Sequence, residues 1–184
     1  SRYENEIYKC EKNIKSRKII TCIGYLGEIK NQIEFLKISE KLNDLNLEFQ
    51  VVYQNYNKKY LDFCKKFCLK KKLKNIYFTN GNKENIKNII ARSHLIINTS
   101  VTEVFPLSIV ESINLGTPFI SYDTGNTSYI KGGLIAENHN EMINIIKTLV
   151  KNDFFYDRLK ILGKNFYKQK LNFSLLELKL TDLI

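Results

Sequence analysis

Short apolar runs alternate with longer stretches of helical period along almost the whole chain. "RKIITCIGYL" reads as a buried strand ending at Gly24. Over "EIKNQIEFLKISEKLND", Ile29, Ile33 and Leu36 share one helical row. Phe35, Ile38 and Leu42 form a second that widens the buried side, which predicts a helix from about Glu28. "LEFQVVYQ" is strand-like, "KYLDFCKKFCLKKK" an amphipathic helix, and "NIYFTN" a short strand before Gly81. A helix "KENIKNIIARS" and a strand "HLIINTS" follow, then a helix "SIVESINLG" stopped by Gly116. "TPFISYD" and "GGLIAE" are strands, and "HNEMINIIKTLVKN" and "DFFYDRLKILGKNFYKQ" are helices. In the tail "FSLLELKLTDLI", Ser174 with Glu177 makes a capping box before an apolar run.

Strands apolar on both faces, alternating with amphipathic helices, predict an α/β fold with a parallel sheet covered by helices on both sides. Such sheets bind ligands at the carboxyl ends of their strands. The expected division is a polar lead-in over 1–16, one domain over 17–170 and a C-terminal helix over 171–184. At 184 residues the chain can bury one substantial core. The chain opens on Ser1, so an excised piece of a longer protein is expected. No apolar run approaches the roughly 20 residues of a membrane-spanning helix, and no signal peptide is visible.

The net charge of +10 changes the picture only in part. Lysines spread over exposed faces explain it, and attraction to a phosphorylated ligand or an acidic membrane surface is the sharper reading. The lysines form no block with interleaved aromatics, which disfavours nucleic acid. Cysteines stand at 10, 22, 64 and 68. Cys64 and Cys68 are four apart, but no histidine lies near them, so no metal site is expected and reduced thiols are. His94, at the start of a buried-looking strand, is expected to be structural, and His139, near a helix start, to be exposed.

The candidate chemistry lies in "EVFPLSIVE", residues 103–111. Pro106 suits the first turn of a helix opening near Phe105 or Pro106. Glu103 then precedes the helix, and Glu111 lies about 8 Å along it. Between them are free N–H groups and the positive end of the dipole. Such an end can hold a diphosphate, while carboxylates accept hydrogen bonds from hydroxyls. A nucleotide sugar has hydroxyls on both sides of its diphosphate. Two acids eight apart also arise by chance, and an acid near a helix start is favourable by about 0.3–1 kcal/mol without any ligand.

The longer segment "INTSVTEVFPLSIVESINLGTPFISYDTGN" resembles the donor-binding lobe of the retaining group-one glycosyltransferases. These enzymes have two Rossmann-like lobes, the GT-B architecture, and use nucleotide sugars. Their glutamate–seven residues–glutamate motif is matched by Glu103 and Glu111. Ser100, Phe105, Pro106, Gly116, Thr117 and Pro118 fall in register around it. The resemblance runs from about Arg17 to the tail. It implies that Glu103 contacts the transferred sugar and Glu111 the ribose, with the backbone from Phe105 through Leu107 to Ser108 at the diphosphate and sugar. Gly24 matches the glycine after the first strand. Lys30 matches a lysine that neutralises a donor phosphate, so Lys30 and Glu103 are the implied catalytic groups. Asn80 and Gly81 match the strand end beside the base. Three positions depart from the pattern: Tyr25 replaces an arginine, Val104 a glycine, and Ser128 stands where an acid is common.

The implied reaction is glycosyl transfer from a UDP- or GDP-sugar with retention, no cofactor and no required metal. The product would be a bacterial polysaccharide or glycan. The acceptor site would come from an amino-terminal lobe that this chain is too short to contain, so the chain alone is expected to bind donor and catalyse nothing. The expected location is the cytoplasm, with peripheral contact to the inner membrane's cytoplasmic face. Rival readings are a non-catalytic lobe or partner subunit of the same fold, favoured by Tyr25 and Val104, and a basic domain for membrane lipid or nucleic acid. A nucleotide-sugar epimerase would need acids at further strand ends, which are not found.

Overall fold

The computed structural model describes residues 17–81 and 83–171. The expected lead-in and the capping box at Ser174 lie outside the described residues. Six parallel strands form one sheet: β1 (Lys18–Ile23), β2 (Leu47–Tyr53), β3 (Ile76–Asn80), β4 (Leu95–Asn98), β5 (Phe119–Tyr122) and β6 (Gly133–Ala136). Their order is β3-β2-β1-β4-β5-β6. Six helices connect or flank them: α1 (Gln32–Lys41), α2 (Lys58–Lys70), α3 (Lys83–Arg92), α4 (Leu107–Leu115), α5 (His139–Lys151) and α6 (Asp153–Phe166). A 3-10 turn spans Thr127–Tyr129, and a π-helical turn, Tyr167–Leu171, ends the described chain. The expected α/β architecture is the one observed.

Two apolar layers explain the double-sided burial of the strands. Ile20, Phe49, Leu95, Ile97 and Ile120 pack with Phe35, Leu36 and Ile38 of α1 and Met142, Ile146 and Leu149 of α5. On the opposite face, Ile96 and Phe119 pack with Ile90 of α3 and Ile109, Val110 and Ile113 of α4. Neighbours on β4 and β5 thus face opposite layers, as the two-residue side-chain period requires. An edge-to-face contact joins Phe35 and Phe49, with centroids 5.7 Å apart. Gly116 caps α4 in the left-handed conformation at φ 80°, as its position implied.

The sheet order sets the location of a ligand crevice. Outward from β1 the chain first runs through β2 and β3, then reverses through β4, β5 and β6. Between β1 and β4, which pair at Ile20–Leu95 and Thr21–Ile96, their following loops diverge. A crevice opens there beyond the carboxyl ends.

Three local expectations need correction. Helix α1 begins at Gln32, not near Glu28, because Asn31 adopts a left-handed φ of 52°. The preceding turn is closed by Lys30 N–H and Asn31 N–H donating to Gly27 O, both at 3.1 Å. Ile29 is consequently 58% exposed and off the buried row. Helix α4 starts at Leu107, with Pro106 as its cap. His139 is half-buried rather than exposed: its Nδ1 lies 2.6 Å from Glu34 Oε1, and Tyr122 Oη donates to that oxygen at 2.9 Å. Burial raises the Glu34 pKa, but the hydrogen bonds from His139 and Tyr122 outweigh it, and the carboxyl is held below its ordinary value. His94 has the structural setting expected, stacked on Tyr156 with centroids 4.1 Å apart. Cys22, Cys64 and Cys68 are free thiols, and burial pushes their pKa values up to about 12, 12 and 11.

Candidate nucleotide-sugar site

A cleft of about 700 Å³ lies at the β1–β4 divergence. One wall comes from Ile23, Gly24, Tyr25 and Lys30, and another from Phe105, Pro106, Leu107, Ser108 and Glu111. Its far side comes from Val52, Tyr53, Gln54 and Asn55 after β2, and from Ile86 and Lys87 on α3.

Side-chain hydrogen bonds hold these loops. Gln32, fully buried, accepts from Gly27 N–H at 3.2 Å and donates to Tyr25 O at 2.8 Å, fixing the turn after β1. Thr99 Oγ1, just past β4, lies 3.1 Å from Lys30 O and 3.0 Å from Asn31 O, and Val101 N–H donates to Ile29 O at 2.8 Å. Gly24 packs on Lys30: a Cβ there would meet its Cγ, Cδ and Cε at 3.5 Å. The lysine stem is thereby aimed along the cleft.

Helix α4 presents an open N-terminus. Asn57 Oδ1 accepts from Tyr60 N–H on α2 at 3.2 Å, Asn138 caps α5 at 3.1 Å through Glu141 N–H, and Asn152 caps α6 at 2.9 Å through Phe155 N–H. Pro106 has no side-chain acceptor, and the N–H groups of Leu107 and Ser108 have no partner among the described residues. The positive end of the dipole faces the cleft.

The two glutamates have opposite settings. Glu103 is only 9% exposed at its side chain. Its Oε1 pairs with Lys30 Nζ and lies 2.8 Å from Ser100 Oγ. Behind it, Ser100 Oγ lies 2.6 Å from Asn98 Oδ1, and Asn98 Nδ2 donates to Ser121 Oγ on β5 at 3.1 Å. Glu111 is exposed on the cleft wall and makes no hydrogen bond or ion pair among the described residues.

The family model described as glycosyl transferases group 1 matches residues 4–169. The chain belongs to this family. No curated protein matches it in sequence. Similar solved structures include HepE of Anabaena in complex with UDP and glucose, at TM-score 0.82 and 16% identity over 91% of this chain and 48% of that one. Sucrose-phosphate synthase from Thermosynechococcus elongatus matches at TM-score 0.78 and 16% identity, over 91% of this chain and 44% of that one. The isolated C-terminal domain of the group 1 glycosyl transferase LpcC from Francisella tularensis matches at TM-score 0.74 and 15% identity, over 84% and 86%. The chain thus has the fold of one GT-B lobe, and spans about half the length of HepE and of the synthase.

Against this family frame, the structure brings most of the expected site residues together. Gly24, Tyr25, Lys30, Phe105, Pro106, Leu107, Ser108 and Glu111 line the cleft. Ser100 and Glu103 stand behind Lys30. Asn80 and Gly81 do not line it. Gly81 is buried, and a Cβ there would lie 3.2 Å from Val52 Cγ1 and 3.4 Å from Ile86 Cγ1, so it packs behind two residues of the cleft wall. Val104 is 86% exposed outside the cleft wall, and Ser128 is exposed beyond it.

Local pattern missed Gln32, Asn98, Thr99, Ser121 and Gly125. A Cβ on Gly125 would lie 2.1 Å from Glu103 O, and its φ is +58°. A glycine there allows the loop after β5 to close on the Glu103–Val104 backbone. The one available signal was the Thr-Gly-Asn turn following a strand. Among the described residues, no group of three or more His, Cys, Asp or Glu side chains is placed to hold a metal. No helix among them is long and apolar enough to cross a membrane.

Proposed function

We propose that residues 17–170 are the nucleotide-sugar-binding lobe of a retaining, metal-independent glycosyltransferase of polysaccharide or glycan synthesis. The observation that carries this reading is the juxtaposition of an open α4 N-terminus, Lys30 and Glu111 around one cleft at the sheet's switch point, with Glu103 paired to Lys30 just behind the wall. The diphosphate lies at the Leu107 and Ser108 N–H groups. Glu111 accepts from ribose hydroxyls on one side, and Glu103 accepts from the transferred sugar on the other. HepE is described in complexes with UDP and with UDP-glucose, which makes these the first donors to test.

In the reaction, negative charge builds on the departing diphosphate. The α4 dipole stabilises it from a fixed position, which is more effective than solvent that must reorient, and Lys30, once turned from Glu103, adds its charge. These groups supply the positive charge the leaving group needs, so the reading requires no metal. Glu103 orients the sugar by its hydroxyls, and the acceptor enters from an amino-terminal lobe. The proposed location is the cytoplasm, with the basic surface near anionic lipid.

Ligand-observed NMR on the purified chain tests the reading with UDP, GDP, ADP and their sugar conjugates. Selective binding of one nucleotide class, lost in Glu111→Ala, is expected. Binding that ignores the nucleotide, weakens with salt and survives Glu111→Ala overturns it in favour of a general polyanion surface. A second reading, a nucleotide-binding lobe without turnover, is favoured by Tyr25 on the cleft wall in place of a cation. It predicts the same binding but no transfer by the complete two-lobe protein.

A further inference from the structure

The ion pair between Lys30 and Glu103 has a consequence for which ligands the cleft retains. Without ligand, the carboxylate and ammonium satisfy each other at a site where Glu103 is 9% exposed. Glu103 also lies next to a hydroxyl that cannot serve all its neighbours. Ser100 Oγ has one proton and two acceptors, Asn98 Oδ1 at 2.6 Å and Glu103 Oε1 at 2.8 Å. Asn98 is oriented by its donation to Ser121 Oγ and by Ser100 N–H donating to its Oδ1 at 3.3 Å. Its acceptor therefore stays aimed at the serine. If Lys30 turns toward an anion in the cleft, Glu103 keeps at best a contested proton.

We propose that Glu103 makes the cleft discriminate intact donor from spent nucleotide, by competing with the diphosphate for the Lys30 ammonium. The inference rests on the donor-lobe reading and adds a selectivity to it. A bare nucleoside diphosphate draws Lys30 away and leaves a nearly buried carboxylate short of donors, beside added negative charge. Such an unpaired group is costly. A sugar conjugate brings hydroxyls that donate to Glu103 and replace what Lys30 withdraws. The same carboxylate therefore holds substrate and helps to expel product.

The test compares the affinities of UDP and UDP-glucose by titration calorimetry on the purified chain and on Glu103→Gln. The isosteric amide keeps a hydrogen-bonding oxygen but removes the charge that competes for Lys30. UDP is expected to bind the variant about fivefold to tenfold more tightly. The ratio of UDP-glucose to UDP affinity is expected to fall by about tenfold. In a Lys30→Met background the gain in UDP affinity is expected to vanish, since nothing is left to compete for. Circular dichroism melts establish that each variant is folded. If Glu103→Gln leaves both affinities and their ratio unchanged while wild type binds both ligands, the discrimination fails and the donor-lobe reading stands. If Glu103→Gln still gains UDP affinity after Lys30 is removed, simple repulsion accounts for the effect and the competition is wrong. A wild-type chain that binds neither ligand nor any other nucleotide overturns the donor-lobe reading and this inference with it.

Discussion

The two ends of the sheet treat polar groups differently. At the amino end the polar groups mostly have fixed partners. Lys18 Nζ donates to Val150 O at 2.7 Å and to Asp153 at 3.1 Å, and Asn75 Nδ2 donates to Leu47 O at 3.0 Å. His94 is stacked on Tyr156, with Nε2 3.4 Å from Leu149 O. At the carboxyl end a polar frame surrounds groups with no partner among the described residues: Glu111 and the N–H groups of Leu107 and Ser108. One end is closed by its own chain, and the other is built to a point and left open. Folding free energy is expected to reside at the first, and binding free energy at the second.

The strongest challenge to that division is Gly125→Ala, because this glycine serves the carboxyl end's frame. A Cβ at φ +58° and 2.1 Å from Glu103 O forces the loop away. A loss of about 2–4 kcal/mol is expected from strain and overpacking, with loss of UDP binding, read by urea unfolding and calorimetry. A neutral result would show the loops to be soft and the frame illusory. Lys30→Met is expected to cost about 1–3 kcal/mol by leaving Glu103 nearly buried and unpaired, and to weaken UDP by tenfold or more. Glu111→Ala sharpens the comparison most cleanly. Stability should stay within about 0.5 kcal/mol, as for an exposed side chain without partners, while UDP affinity falls about tenfold or more.

The smallest expected effect tests the amino end through pH. Burial, aided by Lys18, pulls the His94 pKa from 6.5 down to about 4. The unfolded chain therefore binds more protons than the folded one between these values, and stability falls as pH is lowered through that window. His94→Phe keeps a ring on Tyr156 and removes the titration. Its melting temperature should fall less than the wild type's between pH 6.5 and 4, with UDP binding at neutral pH unchanged. Equal pH slopes would show that His94 is not the group responsible.

What could be read in advance follows the range of the interactions. Runs such as "KIITCI" and "LEFQVVY" disclose strands because burial on both faces is written into neighbouring residues. The Gly116 stop of α4 is likewise local, and so, to within a residue, is its start after Pro106. Asn31 is different: nothing in "EIKNQIEF" distinguishes a left-handed asparagine from a helical one until Thr99, far along the chain, accepts its place beside the Lys30 and Asn31 carbonyls. Glu103 and Glu111 were legible as a pair through the resemblance, from the residues in register around them, since two acids eight apart also arise by chance. Their difference was not, because Lys30, Asn98 and Ser121 come from other strands and loops. Gly125 showed only a turn, because the Glu103 backbone it must approach comes from another loop.

The Thr99 hydroxyl that touches both Lys30 O and Asn31 O has a consequence for how this lobe can diverge. It ties the loop after β1 to the loop after β4 at a fixed offset, and Val101 N–H repeats the tie at Ile29 O. Neither loop can gain or lose a residue alone without moving Lys30 relative to Glu103. Length variation among descendants of this sequence should therefore accumulate in exposed turns such as 71–74, while these two loops keep their lengths and vary only in side chain.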